Sequence, residues 1–243
     1  MNKELPEIGI VIPCYNEARN IPILAKKYSK FLKSKDNELI LVNNGSNDNT
    51  DEVFKKLKKQ KNIKTCKIKK NIGFGYGLKK GFNKAKENYI IYSHADLEVN
   101  PNDILKSIKI LSRKENFINK KIFIKGNRIN KIKNNWSISD IFFSFGLTIF
   151  STILFRKYLF DIHGQPVLFS KKMLKEVSYY PNDFSIDLAI YLHARNKGYK
   201  IIRFPVNFNK KKRIYGAGSS SSLVKKLKGT IEQIYNSFFI LIK

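Results

Sequence analysis

The sequence contains only two cysteines in 243 residues, Cys14 and Cys66. Neither lies at a metal-ligand spacing from a histidine or from the other cysteine, so a disulfide framework and a cysteine-based metal site are both excluded. The N-terminus lacks the basic region, long apolar segment and small-residue cleavage site of a signal peptide. From these absences we expect reduced thiols and a cytoplasmic location.

Acidic residues are also scarce, because 19 Asp and Glu stand against 47 Lys and Arg, a formal net charge of +28. Such a charge favours anionic partners, among them nucleic acid, phosphorylated ligands and acidic lipid. A genome-wide codon bias toward Lys, Asn and Ile is an equal explanation, so the charge alone names no partner. Since the lysines are scattered and no RNA or DNA motif occurs, we expect no nucleic-acid partner.

An uncharged run of about 20 residues, the length of a transmembrane helix, is missing as well. The stretch between Asp140 and Arg156 is shorter and lies in a predicted amphipathic helix at 137–160, with small polar residues at helical spacing and a wide apolar arc. We expect this helix to lie in a membrane interface; the alternative is a core or dimer helix. A second basic, apolar helix predicted at 223–241 favours membrane attachment.

The first hundred residues alternate short apolar runs with helix-like segments. This spacing indicates parallel strands joined by helical crossovers, and so an α/β fold with a central, mainly parallel sheet flanked by helices. After Pro101 the pattern becomes less regular. The predicted elements are strands 8–12, 38–42, 63–68 and 89–92, helices 21–32, 50–57 and 77–85, then helix 104–111, strand 122–124 and a turn at 126–128.

Polar clusters follow the predicted strands: PCYNE at 13–17, NNGS at 43–46, NIGFGYG at 71–77 and HADLE at 94–98. Ligands of parallel sheets bind beyond the carboxyl ends of the strands, so we expect all four clusters to converge on one crevice. Asp96 and Glu98 share a face if the strand continues, and both carboxylates then reach one hard cation. A divalent ion there would neutralise charge on a nucleotide diphosphate.

Taken singly, the other clusters allow plainer interpretations. Asn43 and Asn44 suit a nucleobase edge but equally an ordinary turn. The glycines at 73, 75 and 77 allow close backbone approach or positive φ, with amides facing a phosphate. Their spacing matches neither a dinucleotide fingerprint nor a P-loop.

In their order along the chain, these motifs resemble the signatures of family 2 glycosyltransferases, which have a GT-A fold. GNR at 126–128, DIHGQPVLFSK at 161–171, the segment 182–206 and RIYGAGSS at 213–220 resemble the dolichyl- or polyprenyl-phosphate mannosyl and glucosyl transferase branch. The resemblance covers roughly residues 7–220. It implies a GT-A domain at 1–215, with a nucleotide-binding half at 1–100 and an acceptor half at 101–215, then a linker and a basic amphipathic helix at 216–243.

The resemblance also implies site residues. Asp96 and Glu98 would hold Mg or Mn, Asp187 would face the donor sugar or the acceptor, and Arg213 would contact a phosphate; Asp96, Asp187 and Arg213 form the predicted catalytic set. Two departures from the family pattern, His94 for the first Asp of the metal motif and Asn43-Asn44 for an Asp pair, bear on nucleotide choice, metal dependence and activity. The predicted nucleotide-sugar-binding residues are Pro13, Tyr15, Glu17, Asn43, Asn44, Gly73, His94 and Arg128.

The implied activity is transfer of a hexose from UDP- or GDP-hexose to dolichyl or undecaprenyl phosphate in cell-envelope biosynthesis. The enzyme would be peripheral on the inner face of the membrane, and a homodimer is left open. A phosphate acceptor is already anionic near neutral pH, so it needs no strong base. The alternative acceptor is a hydroxyl of a polysaccharide or glycolipid, with Asp187 as the base. His163 and His193 are expected to be packed or helix-surface residues.

Overall fold

The computed structural model describes residues 7–29, 31–33, 37–113, 115–116, 121–177, 179–212 and 222–242. Seven strands form one sheet. They are β1 Ile8–Cys14, β2 Glu38–Asn44, β3 Ile63–Ile68, β4 Tyr89–Tyr92, β5 Ile122–Arg128, β6 Val167–Ser170 and β7 Lys200–Val206.

The strand order is β3-β2-β1-β4-β6-β5-β7. β1 runs parallel to β2 and β4, β2 is parallel to β3, and β5 is parallel to β7. β6 is antiparallel to both of its neighbours, β4 and β5. The expected α/β class with a mainly parallel sheet is therefore confirmed.

Helices cover both faces of the sheet, and alternate strand residues supply the two apolar layers beneath them. In β2, for example, Ile40 and Val42 belong to one buried cluster while Leu39 and Leu41 belong to the other. The described helices are α1 Ile21–Tyr28, α2 Thr50–Leu57, α3 Phe74–Lys84, α4 Pro101–Leu111, α5 Ile138–Phe155, α6 Ile186–Asn196 and α7 Leu223–Ile242.

Three predicted elements, α2, β3 and β4, have the bounds that the sequence pattern indicates. Others differ at their starts for local reasons. α4 begins at Pro101, because proline suits the first helical position and the Asn100 side chain accepts a hydrogen bond from the Asn102 amide (3.0 Å). α3 begins at Phe74, directly after Gly73, whose φ of 132° is accessible to glycine.

Three predictions were wrong. The helix predicted at 21–32 ends at Tyr28, and Phe31–Lys33 form a separate 3₁₀ turn. Residues 126–128 do not form a turn but continue β5, because they pair in parallel with Phe204–Val206 of β7. The helix predicted at 137–160 ends at Phe155, since Arg156 adopts a left-handed conformation (φ 52°) and the Lys157 amide donates to the Thr152 carbonyl (3.2 Å). Such a left-handed residue ends a helix.

α5 turns its small polar residues toward the protein and its large apolar residues outward. Thr148 and Ser151 are buried, whereas Phe142 and Ile153 are 70% and 72% exposed. Within the described ranges, α5 is the helix with the length and apolar composition to cross a membrane, and 22% of it is buried. A core position for this helix is therefore excluded in this fold, which leaves its outer face for another partner.

Candidate functional site

A cleft of about 410 Å³ opens beyond the carboxyl ends of β4 and β5. The loop after β4 and residues around 128–136 form one wall, and α5 and the first half of α7 form the other. Its lining is mixed. It includes the carboxylates of Asp96, Glu98, Asp140 and Glu232 together with lysines, among them Lys225, Lys226 and Lys228 of α7. The lining residues that matter most below are His94, Asp96, Glu98, Arg128, His163 and Gln233.

The carboxylate pair lies in the loop after β4. Leu97, between the two acids, has a φ of 63°, a conformation that is uncommon for a side chain of its size. This turn lets the Glu98 amide donate to Asp96 Oδ1 at 3.1 Å. Both acids are buried to 6% exposure on the cleft wall. Asp96 and Glu98 are thus joined by a left-handed turn at Leu97, and not by the continued strand that the spacing suggested.

Two carboxylates, those of Asp96 and Glu98, are the candidate ligands for a metal ion in this cleft. In the part of the chain that the structure describes, no group of three or more His, Cys, Asp or Glu side chains is arranged to hold a metal ion. Mg²⁺ is commonly held by one or two carboxylates, with water and substrate phosphates as its other ligands. Asp96 and Glu98 fit such an ion, which would then need the substrate to complete its coordination.

His94, which replaces an acid of the family motif, lies among aromatic rings. Its ring centroid is 4.8 Å from that of Phe74 and 6.0 Å from that of Phe184, and Phe208 meets it edge-on at 6.3 Å. These contacts make His94 part of an aromatic floor next to the carboxylates. A role for it in nucleotide binding stays a prediction.

Arg128 lines the cleft next to this floor, held by Asp161. Its backbone amide donates to Asp161 Oδ2 (2.7 Å) and its Nε to Oδ1 (2.6 Å), while the guanidinium lies over the Trp136 ring at 4.8 Å. Burial alone would raise the pKa of Asp161, but the charges of Arg128 and Lys125 outweigh it and lower that pKa to about 2. The pair is therefore ionised and fixed in orientation.

The loop 161–166 is placed by glycines that allow backbone-to-backbone packing. A Cβ atom on Gly126 would lie 2.3 Å from the Gln165 carbonyl oxygen, and one on Gly164 would lie 2.2 Å from the Gly126 oxygen. The Gly126 amide also donates to the Pro166 carbonyl (2.9 Å). GNR and DIHGQP, which are separate motifs in the sequence, are thus one unit in the fold, and this unit positions His163.

Asp187 lies behind His163 and is not among the described residues that line the cleft. It is 1% exposed and accepts from the Tyr92 hydroxyl (2.8 Å), His163 Nδ1 (2.9 Å) and Gln165 Nε2 (3.3 Å). Burial would raise the pKa of Asp187, but the hydrogen bond and charge of His163, helped by Tyr92, lower it. Its predicted contact with donor or acceptor stays a prediction; its observed contact is with His163.

Sequence reasoning missed His163 as a site residue. His163 was expected to be a packed residue. Its Nδ1 atom does contact the buried Asp187, but the side chain is 21% exposed and lines the cleft. The available signal was its place in the DIHGQP motif, two residues after Asp161.

α7 closes the cleft through polar contacts. Gln233 Oε1 lies 2.7 Å from His163 Nε2, and Lys226 lies 2.9 Å from Asp140 of α5. Near its end, the Asn236 amide donates to Asp183 (2.7 Å). The C-terminal helix is therefore part of the site wall, which the sequence pattern alone did not indicate. Of the predicted linker, residues 216–221 lie outside the described residues.

The loops after β1 and β2 bind each other. The Asn16 amide donates to Ser46 Oγ (3.0 Å), and the Asn47 amide donates to Asn16 Oδ1 (2.8 Å). Asn43 is fully buried, accepts from the Ser46 amide (2.9 Å) and donates to Asp51. These contacts are those of an ordinary turn residue. The role of Asn43 in nucleotide binding stays a prediction.

Asn44 and Gly73 join β2 to the start of α3. The Asn44 amide donates to the Gly73 carbonyl (3.0 Å), and the Tyr76 amide donates to the Asn182 carbonyl (2.9 Å). A Cβ atom on Gly73 would lie 2.3 Å from that Asn182 oxygen. The glycines thus serve close packing of the 181–183 loop.

Of the four clusters expected in one crevice, His94 to Glu98 lines the described cleft. Pro13, Tyr15, Glu17, Asn43, Asn44 and Gly73 are absent from its described lining. Tyr15 is 43% exposed. Arg213, predicted as catalytic, lies outside the described residues.

Comparison with protein families places these features in context. Residues 9–178 match the family model described as Glycosyl transferase family 2. A dolichol-phosphate mannosyltransferase of Pyrococcus furiosus is 25% identical over 241 residues, which cover 98% of this chain and 64% of that protein. An undecaprenyl-phosphate 4-deoxy-4-formamido-L-arabinose transferase of Yersinia enterocolitica is 30% identical over 113 residues, 45% of this chain and 35% of that protein. The chain thus spans about one third to two thirds of these relatives' length.

Solved structures show the same fold. Glucosyl-3-phosphoglycerate synthase from Mycobacterium tuberculosis, in complex with UDP, matches with a TM-score of 0.70 at 12% identity, over 97% of this chain and 80% of that one. The same synthase with Mn²⁺ and UDP-glucose matches with a TM-score of 0.69 at 13% identity, over 96% and 79%. The expected GT-A fold is therefore confirmed.

Proposed function

The chain belongs to glycosyl transferase family 2, and from this premise we propose that it transfers a hexose from a nucleotide diphosphate sugar, UDP- or GDP-linked, to a polyprenyl phosphate at a membrane surface. The observation that carries this proposal is the cleft, which is lined by a buried carboxylate pair and by lysines of α7 and borders two helices with outwardly apolar faces. The names of the Pyrococcus and Yersinia relatives, both transferases named for a lipid phosphate, support this acceptor.

At the donor end, Asp96 and Glu98 would hold Mg or Mn. When bound, the ion supplies neutralisation of the charge that develops on the diphosphate leaving group. The Glu98 amide donates to Asp96 and orients that carboxylate, and the Glu98 carbonyl accepts from the Asn209 amide (3.1 Å), which fixes the backbone at Glu98.

Arg128 supplies a fixed positive group on the same wall. Its partner Asp161 and the Trp136 ring leave the guanidinium little freedom, so it can orient an anionic group without first losing side-chain entropy. The acceptor phosphate is already anionic near neutral pH, so alignment of donor and acceptor is the main task of the chain's residues.

The membrane surface would be reached through the outer faces of α5 and α7, which pack together with Phe150 and Phe238 in edge contact (6.1 Å). Their exposed apolar side chains lie beside lysines at 225 and 228 and Arg156, a charge pattern that suits an anionic bilayer on its inner face. The exposed stripe comprises Ile138, Phe142, Phe145, Ile149 and Ile153 of α5 and Leu223, Val224, Leu227, Ile231, Tyr235, Phe238, Leu241 and Ile242 of α7.

The test is a transfer assay with purified protein, polyprenyl phosphate, Mg or Mn, and a panel of UDP- and GDP-hexoses. We expect one donor to yield sugar that extracts into organic solvent, with loss of product in Asp96→Ala and after EDTA. Glu115→Gln, which removes an exposed acid outside the cleft lining, is the matched control and keeps activity. Donor hydrolysis without a lipid product would contradict a lipid phosphate acceptor.

A second candidate acceptor is a hydroxyl of a polysaccharide or glycolipid. It is favoured by the His163–Asp187 pair, because a histidine backed by a carboxylate is the arrangement of a general base for hydroxyl activation. In the same assay, label found in glycan and not in lipid phosphate would select this reaction.

A further inference from the structure

We infer that His163 binds the reacting phosphate of the acceptor through Nε2, and that Asp187 positions it from behind. This rests on the proposed function and assigns one residue to the acceptor. His163 is partly exposed to the cleft, whereas Asp187 is buried at 1% exposure. A ligand in the cleft can therefore reach His163 but not Asp187, although the two side chains contact each other.

The ring orientation follows from its two hydrogen-bonding partners. Nδ1 lies 2.9 Å from Asp187 Oδ2, and a carboxylate accepts, so Nδ1 carries a proton. The same carboxylate is held by the Tyr92 hydroxyl and the Gln165 amide. Nε2 is consequently aimed at the cleft by a fixed support, as in other buried carboxylate–histidine pairs.

The partner of Nε2 is the neutral side chain of Gln233 on α7, at 2.7 Å. In the described cleft, Arg128 pairs with Asp161, and Lys226 pairs with Asp140. Lys210, which also pairs with Asp140, and Lys225 and Lys228 of α7 line the cleft as well. A phosphate oxygen makes a stronger, charge-assisted hydrogen bond than an amide oxygen does. An incoming phosphate would therefore replace Gln233 more readily than it would separate either ion pair.

Gln233 then acts as a stand-in that keeps the ring nitrogen satisfied until the acceptor arrives. It belongs to the helix whose outer face is exposed and apolar, so a lipid-borne phosphate that enters between α5 and α7 meets His163 from the side that Gln233 occupies. The role is binding and alignment, for which a hydrogen-bond donor at a fixed angle is sufficient.

The chain has only three histidines, so their imidazoles can be followed individually. We would label histidine with ¹⁵N and record imidazole spectra while adding farnesyl phosphate, with farnesol as the uncharged control. We expect one ring to change with farnesyl phosphate and not with farnesol, and that ring to be the one missing in His163→Gln. Shifts confined to His94 and His193, or equal shifts with farnesol, would overturn the inference.

Kinetics provide a second readout that a purely structural residue would not give. His163→Ala should raise the KM for the lipid phosphate about tenfold or more and leave the KM for the nucleotide sugar within about twofold. His163→Gln should recover part of the loss because its amide can donate, and Asp187→Asn should fall between them. A change confined to the donor KM would overturn the inference.

If His163→Ala does not fold, Gln233→Ala tests the same idea from the other side. Removal of the stand-in should lower the acceptor KM, about twofold or more, whereas an increase would contradict the inference. The two proposals fail separately: a farnesyl phosphate shift at His163 without sugar transfer defeats the proposed reaction and supports this site, and transfer to lipid without that shift does the reverse.

Discussion

Two polar regions at the ends of the strands differ in structure: one is a pair of loops joined by hydrogen bonds, and the other lines an open cleft. After β1 and β2, the polar side chains bind each other, so that Asn16, Asn43 and Ser46 join two loops. After β4 and β5, charged side chains instead form the wall of a cleft of about 410 Å³. In the sequence, both regions have the same pattern of polar residues directly after an apolar run.

The difference teaches that a polar cluster after a strand is not by itself an open site. The loops close because short polar side chains such as Asn16, Asn43 and Ser46 hydrogen-bond to one another and to neighbouring backbone amides. The cleft stays open because its charges are held as pairs by residues from other elements, such as Arg128 by Asp161 and His163 by Asp187. Variants that perturb one region, with the other region or an unrelated surface position as the reference, test this difference.

The largest effect is expected at the buried ion pair of the cleft. Arg128→Met leaves Asp161 buried without its main partner, and we expect unfolding free energy to fall by about 3–5 kcal/mol. Lys67→Met is the control, because it breaks an ion pair with Asp51 in which the lysine is 62% exposed and the aspartate 37% exposed, and such pairs contribute about 1 kcal/mol or less. Chemical denaturation would measure both. Equal losses would show that the cleft pair is no different from a surface pair.

Membrane binding should distinguish the outer face of the cleft helices from the loop side. Phe142→Ser with Phe145→Ser removes two exposed aromatic rings from α5, and we expect partition into anionic vesicles to fall by at least about 30-fold. Ile72→Ser, at a residue 50% exposed between β3 and α3, is the matched control and should change little. If the double variant instead converts a dimer to a monomer and vesicle binding is unchanged, a second copy covers this face.

Acid stability should report the same ion pair without a change at Arg128. Asp161 has a folded-state pKa of about 2, below the value of about 3.9 for an unfolded chain. Its contribution is therefore complete above about pH 4 and is lost as the pH falls through 2, by roughly 2–3 kcal/mol. Unfolding measured between pH 5 and 2 should have a smaller acid slope in Asp161→Asn. An unchanged slope would assign the acid loss to other carboxylates.

The smallest effect tests the loop side. Gly73→Ala places a Cβ atom 2.3 Å from the Asn182 oxygen at a φ of 132°, and we expect a loss of about 1–3 kcal/mol in stability. Gly146→Ala is the control in α5, where no atom lies within 4 Å of the new Cβ. Since alanine favours a helix, that variant should gain up to about 1 kcal/mol. Melting temperatures that move in the same direction would refute this account of Gly73.

Much of the fold was predictable because it depends on neighbours in sequence. The apolar periodicity predicted α2, β3 and β4 with their observed bounds, and the strand–helix alternation predicted the sheet class. The errors came where a distant partner decides the outcome. Residues 126–128 contain a glycine and an asparagine, which favour a turn, yet pairing with β7 keeps them extended.

Within the site, the sequence indicated the carboxylates Asp96 and Glu98 and the phosphate-binding candidate Arg128, and all three line the cleft. The sequence predicted that Asp187 faces the substrate and did not indicate His163 as a site residue. In the fold, His163 lines the cleft and Asp187 is buried beneath it. No local sequence pattern encodes the relative burial of these two residues, because it depends on which edge of the His163 ring faces the protein interior.

The amino-acid sequence by itself determined most of the element types and the acid pair, since each follows from residues within a few positions of one another, and it indicated the family through the order of several such short motifs. Only the tertiary structure decided which cluster opens, which way α5 faces and what His163 touches. The bonds that settle these points join Tyr92 to Asp187 across 95 positions and His163 to Gln233 across 70. Such contacts form only when packing of the apolar core brings distant segments together, because no single hydrogen bond offsets the entropy of closing so long a loop.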